Sequence, residues 1–335
     1  MSAGSPPAAG PESLDWRTLA AAVAAAAERL QGLVLQTPVV PCGWLSRRTG
    51  AEVRLKLENL QSTGSFKLRG ATHALLRLTP AERARGVVAA SSGNHGLGIA
   101  AAAAAVGVAA TILVPSTTPL PKREAIAALG AEVRVFGSDC VMTEAAARRE
   151  AAATGRACIS PYNDAEVMAG QGSVAVELLR QWPQVEVVYV AVGGGGLLSG
   201  MAAYARQHRP EIEWVACSPA ASPAMATCVR QGRIVEVDCQ ETWSDSTAGG
   251  VEPGALTFPL CQALATRWID VAEDAIAAAL RDSLQHQHLL LEGAAGVALA
   301  ACLQDRELRG RRAAVIACGS NLPLPLLRRL LAEHG

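Results

Sequence analysis

Three short stretches bring together residue types that do chemistry. In S-T-G-S-F-K-L-R-G, residues 62–70, Lys67 stands among small residues in a chain whose basic residues are almost all arginine; lysine occurs only at positions 56, 67 and 122. A guanidinium stays charged, whereas a buried lysine amine can shed its proton and attack a carbonyl. A lysine retained where arginine is the rule points to an imine at Lys67. Taken alone, it fits a solvated or a phosphate-binding lysine as well. Lys56, on the polar alternation of a strand, and Lys122, beside Pro121 at a helix start, read as surface residues.

The second stretch is V-G-G-G-G-L-L-S-G, residues 192–200. Successive glycines after an apolar strand leave backbone N–H groups free to converge on an anion at a helix N-terminus. A dinucleotide site is the rival reading, but the next strand ends in Cys217-Ser218-Pro219, without the acidic residue that would hold a ribose. A phosphate cup for a smaller cofactor fits better, and a tight packing turn would use the same residues. The third stretch is S-S-G-N-H-G-L-G, residues 91–98. Hydroxyls from Ser91 and Ser92, the Asn94 amide and free N–H groups suit a substrate carboxylate. His95 reads more readily as a packing or capping residue than as a catalyst. The G-V-E-P-G-A-L-T-F turn at 250–258 is a candidate cleft lining, and His286-x-His288 a helix end.

The elements that must hold these turns alternate. EVRLKLEN (52–59), GVVAAS (86–91), ATILVP (110–115), AEVRVFG (131–137), EVVYVAV (186–192), IEWVACS (212–218) and RAAVIACGS (312–320) read as strands. Alanine-rich helical stretches lie between them, which predicts an α/β protein with mostly parallel, buried strands. At 335 residues the length predicts two domains. Half the residues are apolar and the formal net charge is zero, so neither disorder nor a nucleic-acid partner is expected. The nine cysteines form no C-x-x-C pair and no zinc spacing, which predicts reduced thiols in the cytoplasm. Residues 1–12, MSAGSPPAAGPE, read as a disordered tail and not a signal peptide. The apolar run from Gly96 to Val114 is divided by Val106-Gly107-Val108, so a buried helix and strand are predicted there, not a membrane span.

Together these stretches resemble the fold-type II pyridoxal-phosphate enzymes, in particular the serine/threonine dehydratase and serine racemase group. The resemblance runs from Thr37-Pro38 to Asn321 through KLENLQSTGSFKLRGA, VVAASSGNHGLGIA, AGQGSVAVELL, VGGGGLLSGMAA, SPAMATCVRQGRIVEV, LEGAAGVALAA and IACGSN. It implies a tryptophan synthase β-like fold of two three-layer αβα domains with the cofactor in the cleft. Residues 13–85 and 161–335 would form the large cofactor-binding domain and 86–160 a small mobile one. It further implies that Lys67 binds pyridoxal 5'-phosphate covalently, with Phe66 near the ring and Asn94 near the phenolic oxygen. Gly193, Gly194, Gly195, Gly196 and Leu197 would cradle the phosphate, Cys318 would face the pyridine nitrogen, and Glu292 would lie beside the cofactor.

The activity so implied is β-elimination of an L-β-hydroxy amino acid such as threonine or serine to a 2-oxo acid and ammonia. Lys67 would take the Cα proton. Ser91, Ser92, Gly93, Asn94, His95 and Tyr162 would contact the substrate. SFKLRG and SSGNHG differ from the S-x-K-D-R and T-S-G-N-T patterns of cysteine-synthase-like members, which disfavours β-replacement. Ser92 keeps a racemase reading open, because its hydroxyl can protonate Cα from the face opposite Lys67. The same motifs also admit an ammonia-lyase for 3-hydroxyaspartate or a bulkier substrate, and a non-catalytic phosphate-ligand module. No metal site is expected, because Ala216 to Ala224 lacks the carboxylates that racemase-like relatives place there. A homodimer with no membrane partner completes the expectation.

Overall fold

A computed structural model describes residues 14–138 and 140–332. The predicted tail, residues 1–12, lies outside them. Among the described residues the strands are β1 (Val39–Pro41), β2 (Glu52–Lys56), β3 (Val87–Ala90), β4 (Ala110–Val114), β5 (Glu132–Val135), β6 (Ala157–Cys158), β7 (Val187–Ala191), β8 (Glu213–Pro219), β9 (Arg267–Val271) and β10 (Arg312–Ile316). They form a six-stranded sheet in the order β1-β2-β10-β7-β8-β9 and a four-stranded sheet in the order β5-β4-β3-β6. Of these strands, only β1 runs antiparallel to its neighbour. Every residue of β3, β4 and β7 is buried, as strands covered on both faces require, and this is why they read as unbroken apolar runs.

All seven predicted strands are present. The three not foreseen are short or lack alternation. β1 has three residues, β6 has two, and β9 (RWIDV) is half-buried along most of its length, with Arg267 paired to Glu213 and Asp305. The apolar run after Gly96 is the helix Asn94–Val106, a left-handed stop at Gly107 (φ 69°), and then β4. Among the described residues no helix is long and apolar enough to cross a membrane.

Helix–helix contacts set the spacing of the chemical turns. Helices Lys67–Arg77 and Gly196–His208 both pack on helix Ala165–Gln181. The contact is backbone to backbone. A Cβ at Gly170 would lie 2.7 Å from the Arg69 carbonyl oxygen, and one at Gly200 would lie 2.1 Å from that of Met168. A side chain at Gly170 would push the Lys67 helix off helix Ala165–Gln181, and one at Gly200 would do the same to the helix that follows the glycine run. The Lys67 helix also gives Leu68, Ala71, Ala74 and Leu75 to the core formed with Val87, Ile99 and Ile112 of the four-stranded unit. It therefore bridges the two sheets, and Lys67 sits at its first turn.

Candidate active site

The chemical turns follow the carboxyl ends of parallel strands, where open α/β sheets form their crevices. β10 lies between β2 and β7, so the chain leaving β2 toward Lys67, the Cys318 segment after β10 and the glycine run after β7 emerge side by side. The serine-rich turn after β3 faces them from the other sheet.

Lys67 is half-buried. Its Nζ donates to the Pro161 carbonyl at 2.9 Å and lies 5.3 Å from the centre of the Phe66 ring. Burial depresses the proton affinity of this amine to a pKa of about 8, although the nearby Glu292 carboxylate pulls the other way. Phe66 N–H donates to the Cys318 carbonyl at 3.1 Å, and Ser65 bridges to Gly319. Lysine turn and Cys318 are thereby locked together. The Cys318 thiol is buried, which raises its pKa well above that of a free thiol.

Asn94, at the start of its helix, donates Nδ2 to both oxygens of Glu292 at 2.9 Å and accepts from Asn321 Nδ2 at 2.7 Å. Glu292 is 3% exposed, and burial raises its pKa to about 7 against the hydrogen bonds from Asn94 and Ser246. Gly319 leaves room for it, since a Cβ there would lie 2.5 Å from Oε1. His95 is buried and donates Nε2–H to the Ile159 carbonyl at 3.0 Å. Burial, and then the nearby Lys67, push its pKa to about 3, so it is a neutral packing residue at any physiological pH. Ser91, Ser92 and Gly93 are half-buried along the same turn, with Ser91 Oγ accepting from Gly93 N–H at 3.2 Å.

The glycine run is walled so closely that side chains are excluded. A Cβ at Gly194 would lie 2.2 Å from Cγ of Tyr162, and one at Gly193 would lie 2.9 Å from Cα of Thr247. Gly195 adopts a φ of 88°, which only glycine enters freely. Helix Gly196–His208 starts there, and the first N–H groups of a helix, including that of Leu197, have no partner within it.

Several contacts around the site escaped the sequence. Tyr162 Oη accepts from Glu252 N–H at 3.1 Å, Asn163 donates to the Glu252 carboxylate, and Arg148 pairs with Glu252 at 2.7 Å. Lys122 pairs with Asp245 at 3.6 Å with both side chains partly exposed, so the surface lysine carries an ion pair that the sequence did not show. The only forewarning was the Gly/Pro turn at 250–258. Lys56 is a correction: it is wholly buried, its amine donating to Glu177 and to the Thr37 carbonyl, where strand alternation had put it outside.

A half-buried lysine of lowered proton affinity, an asparagine–glutamate pair and a glycine turn at a helix start are thus gathered at the ends of parallel strands. The chain belongs to the pyridoxal-phosphate dependent enzyme family, whose pattern matches residues 20–319. It is 38% identical to the L-threonine ammonia-lyase of Thermotoga maritima over 302 residues, 90% of this chain and 75% of that one. Threonine deaminase isoform 2 of Solanum lycopersicum, in its processed form, matches it with a TM-score of 0.90 at 30% identity, covering 97% of this chain and 95% of that one. Maize serine racemase matches with a TM-score of 0.87 at 28% identity, over 94% of this chain and 97% of that one. The cofactor is pyridoxal 5'-phosphate. The residues present fit it: an amine that deprotonates near neutral pH, a loop with no room for side chains, and a buried neutral thiol in Cys318.

Proposed function

We propose that the protein eliminates the β-hydroxyl of an L-β-hydroxy amino acid such as threonine or serine, yielding a 2-oxo acid and ammonia. The observation that carries this reading is the placement of Lys67 at the start of its helix, its Nζ 2.9 Å from the Pro161 carbonyl, where burial lowers its pKa to about 8. Bound pyridoxal phosphate supplies the electron sink that lets a proton leave Cα. Lys67 would hold it covalently, Phe66 would flank its ring, Asn94 would meet its phenolic oxygen, and Glu292 would lie beside it. The N–H groups from Gly193 to Leu197 would hold its phosphate. Lys67 Nζ is also the base that takes the Cα proton, and an amine with this pKa has a neutral fraction at pH 7 to do so. The turn Ser91–Asn94 holds the substrate carboxylate through hydroxyl and backbone donors, with neutral His95 and Tyr162 packing beside it. Cys318, kept neutral by burial, would face the pyridine nitrogen as a weak partner carrying no charge.

Racemisation is the second reading, favoured by Ser92, which shares the turn with Asn94. We read residues 13–85 with 161–335 as the large domain and 86–160 as a small mobile one, in a cytoplasmic homodimer without nucleic-acid or membrane partners. The experiment is a panel of L-β-hydroxy amino acids assayed for ammonia and 2-oxo acid, with Lys67→Ala as control. Turnover of threonine or serine that Lys67→Ala abolishes supports the reading. Protein that binds pyridoxal phosphate but turns over nothing supports the non-catalytic module instead.

A further inference from the structure

Four charged side chains lie buried beneath the Lys67 turn, and the chemistry above uses none of them. Lys56, Glu58 and Arg69 are fully shielded from solvent and Glu177 nearly so. Arg69 donates Nε to Glu58 Oε2 at 2.7 Å and a second nitrogen to Oε1 at 2.9 Å. Its remaining contacts are to Glu177 at 2.6 and 2.9 Å, to Ser173 Oγ at 3.2 Å and to the Leu35 carbonyl at 3.1 Å. Lys56 Nζ donates to the Thr37 carbonyl at 2.6 Å and to Glu177, and Thr37 Oγ1 donates to Glu58. Two cations balance two carboxylates, and all three guanidinium nitrogens are engaged.

Stability is a weak account of this cluster, since well-packed apolar side chains of similar volume often serve as well without the desolvation cost. Its place in the fold gives a stronger one. Arg69 is the third residue of helix Lys67–Arg77. Two residues along a helix rotate the side-chain direction by about 200°, so Arg69 leaves the helix opposite Lys67. The cluster ties this first turn to the end of β2, through Lys56 and Glu58, and to helix Ala165–Gln181, through Ser173 and Glu177. The same turn is gripped again by helix Ala165–Gln181 and, from a further side, by helix Asn94–Val106. Gly70 N–H donates to Gln171 Oε1 at 3.1 Å, and a Cβ at Gly98 would come within 3.1 Å of the Lys67 carbonyl carbon.

We propose that Lys56, Glu58, Arg69 and Glu177 are positioning residues for Lys67: the planar fork of Arg69, held by carboxylates from two different elements, fixes the direction in which Lys67 enters the cleft. The inference rests on Lys67 being the reacting amine. Lysine at position 69 keeps the charge but cannot reproduce the fork. A misplacement of about 1 Å at a reacting centre costs on the order of 100-fold in rate.

The test is Arg69→Lys in the full-length holoenzyme. The expected result is a kcat lower by about 10- to 100-fold with KM changed by less than about threefold, together with an altered visible circular dichroism of the bound cofactor, which reads the orientation of its link to Lys67. A lower melting temperature with wild-type kcat and wild-type dichroism would show that the cluster only holds the fold, and would overturn the proposal. If Arg69→Lys does not fold, Glu177→Gln, which keeps the Glu58–Arg69 pair, should change kcat and dichroism in the same direction by a smaller factor; wild-type values there overturn the proposal equally. Failure of the premise looks different. Lys67→Ala would then retain the visible band, and both readings would fall.

Discussion

Asn94 Nδ2 lies 2.9 Å from each carboxylate oxygen of Glu292, joining the turn after β3 to the start of helix Gly293–Gln304. This places a buried carboxyl where the two sheets meet. Burial outweighs its hydrogen bonds and raises its pKa from 4.5 to about 7. Between those values the folded chain binds a proton that the unfolded chain does not, so the contribution of Glu292 to stability falls as pH rises through that window. Without added cofactor, Glu292→Gln should gain stability relative to the wild type between pH 5 and pH 8, by up to about 3 kcal/mol. Denaturant titrations at the two pH values decide it; a difference that does not change with pH contradicts it.

Lys67 carries the opposite consequence. Its amine must be neutral to attack an aldehyde, so the rate at which cofactor-free protein captures pyridoxal phosphate should rise with pH and level off above about 8. A midpoint near 10.5, the value of an ordinary lysine, would show that burial has not acted on it. Because Glu292 favours the charged amine, Glu292→Gln should lower the midpoint further.

Arg148 and Lys122, from helices Cys140–Thr154 and Leu120–Ala128, reach Glu252 and Asp245 in the segment beside the glycine run. Half-exposed ion pairs of this kind contribute roughly 0–1 kcal/mol to stability. The Glu252 carboxylate also accepts from Asn163, while Tyr162 is held by the Glu252 backbone N–H. Glu252→Ala, which removes the side-chain contacts to Asn163 and Arg148 and keeps the backbone one, should raise KM about fivefold while moving the melting temperature by less than about 4 °C. A large loss of stability with unchanged KM would make the contact purely structural.

Much of this site was legible in the sequence because each chemical turn is a contiguous run whose residue types have few other uses. A glycine run between a buried strand and a helix, and a lysine in an arginine-rich chain, announce themselves. Lys56 did not: on a strand, alternation assigns a polar residue outward, and only the arrival of Glu177 and Arg69 from other elements makes its burial possible. Glu252 and Asp245 were hidden for the same reason, their partners lying on distant helices. Strands β6 and β9 were missed because two residues, or a half-buried run with charged members, carry no periodic signal.

No activation by magnesium or calcium is expected. The stretch from Ala216 to Ala224 offers Ser218 and Ser222 but no carboxylate, and these ions select charged oxygen ligands. Turnover and melting temperature of chelator-treated protein should be the same with and without either ion at constant ionic strength. Severalfold activation abolished by Ser218→Ala would reveal a site.

If Lys67 drives elimination and racemisation is secondary, the products formed from L-serine show it most directly, with 2-oxo acid and D-isomer measured in the same reaction. The expected result is 2-oxo acid in excess over D-serine, with both lost in Lys67→Ala. More D-serine than 2-oxo acid, or 2-oxo acid still formed by Lys67→Ala, would contradict it.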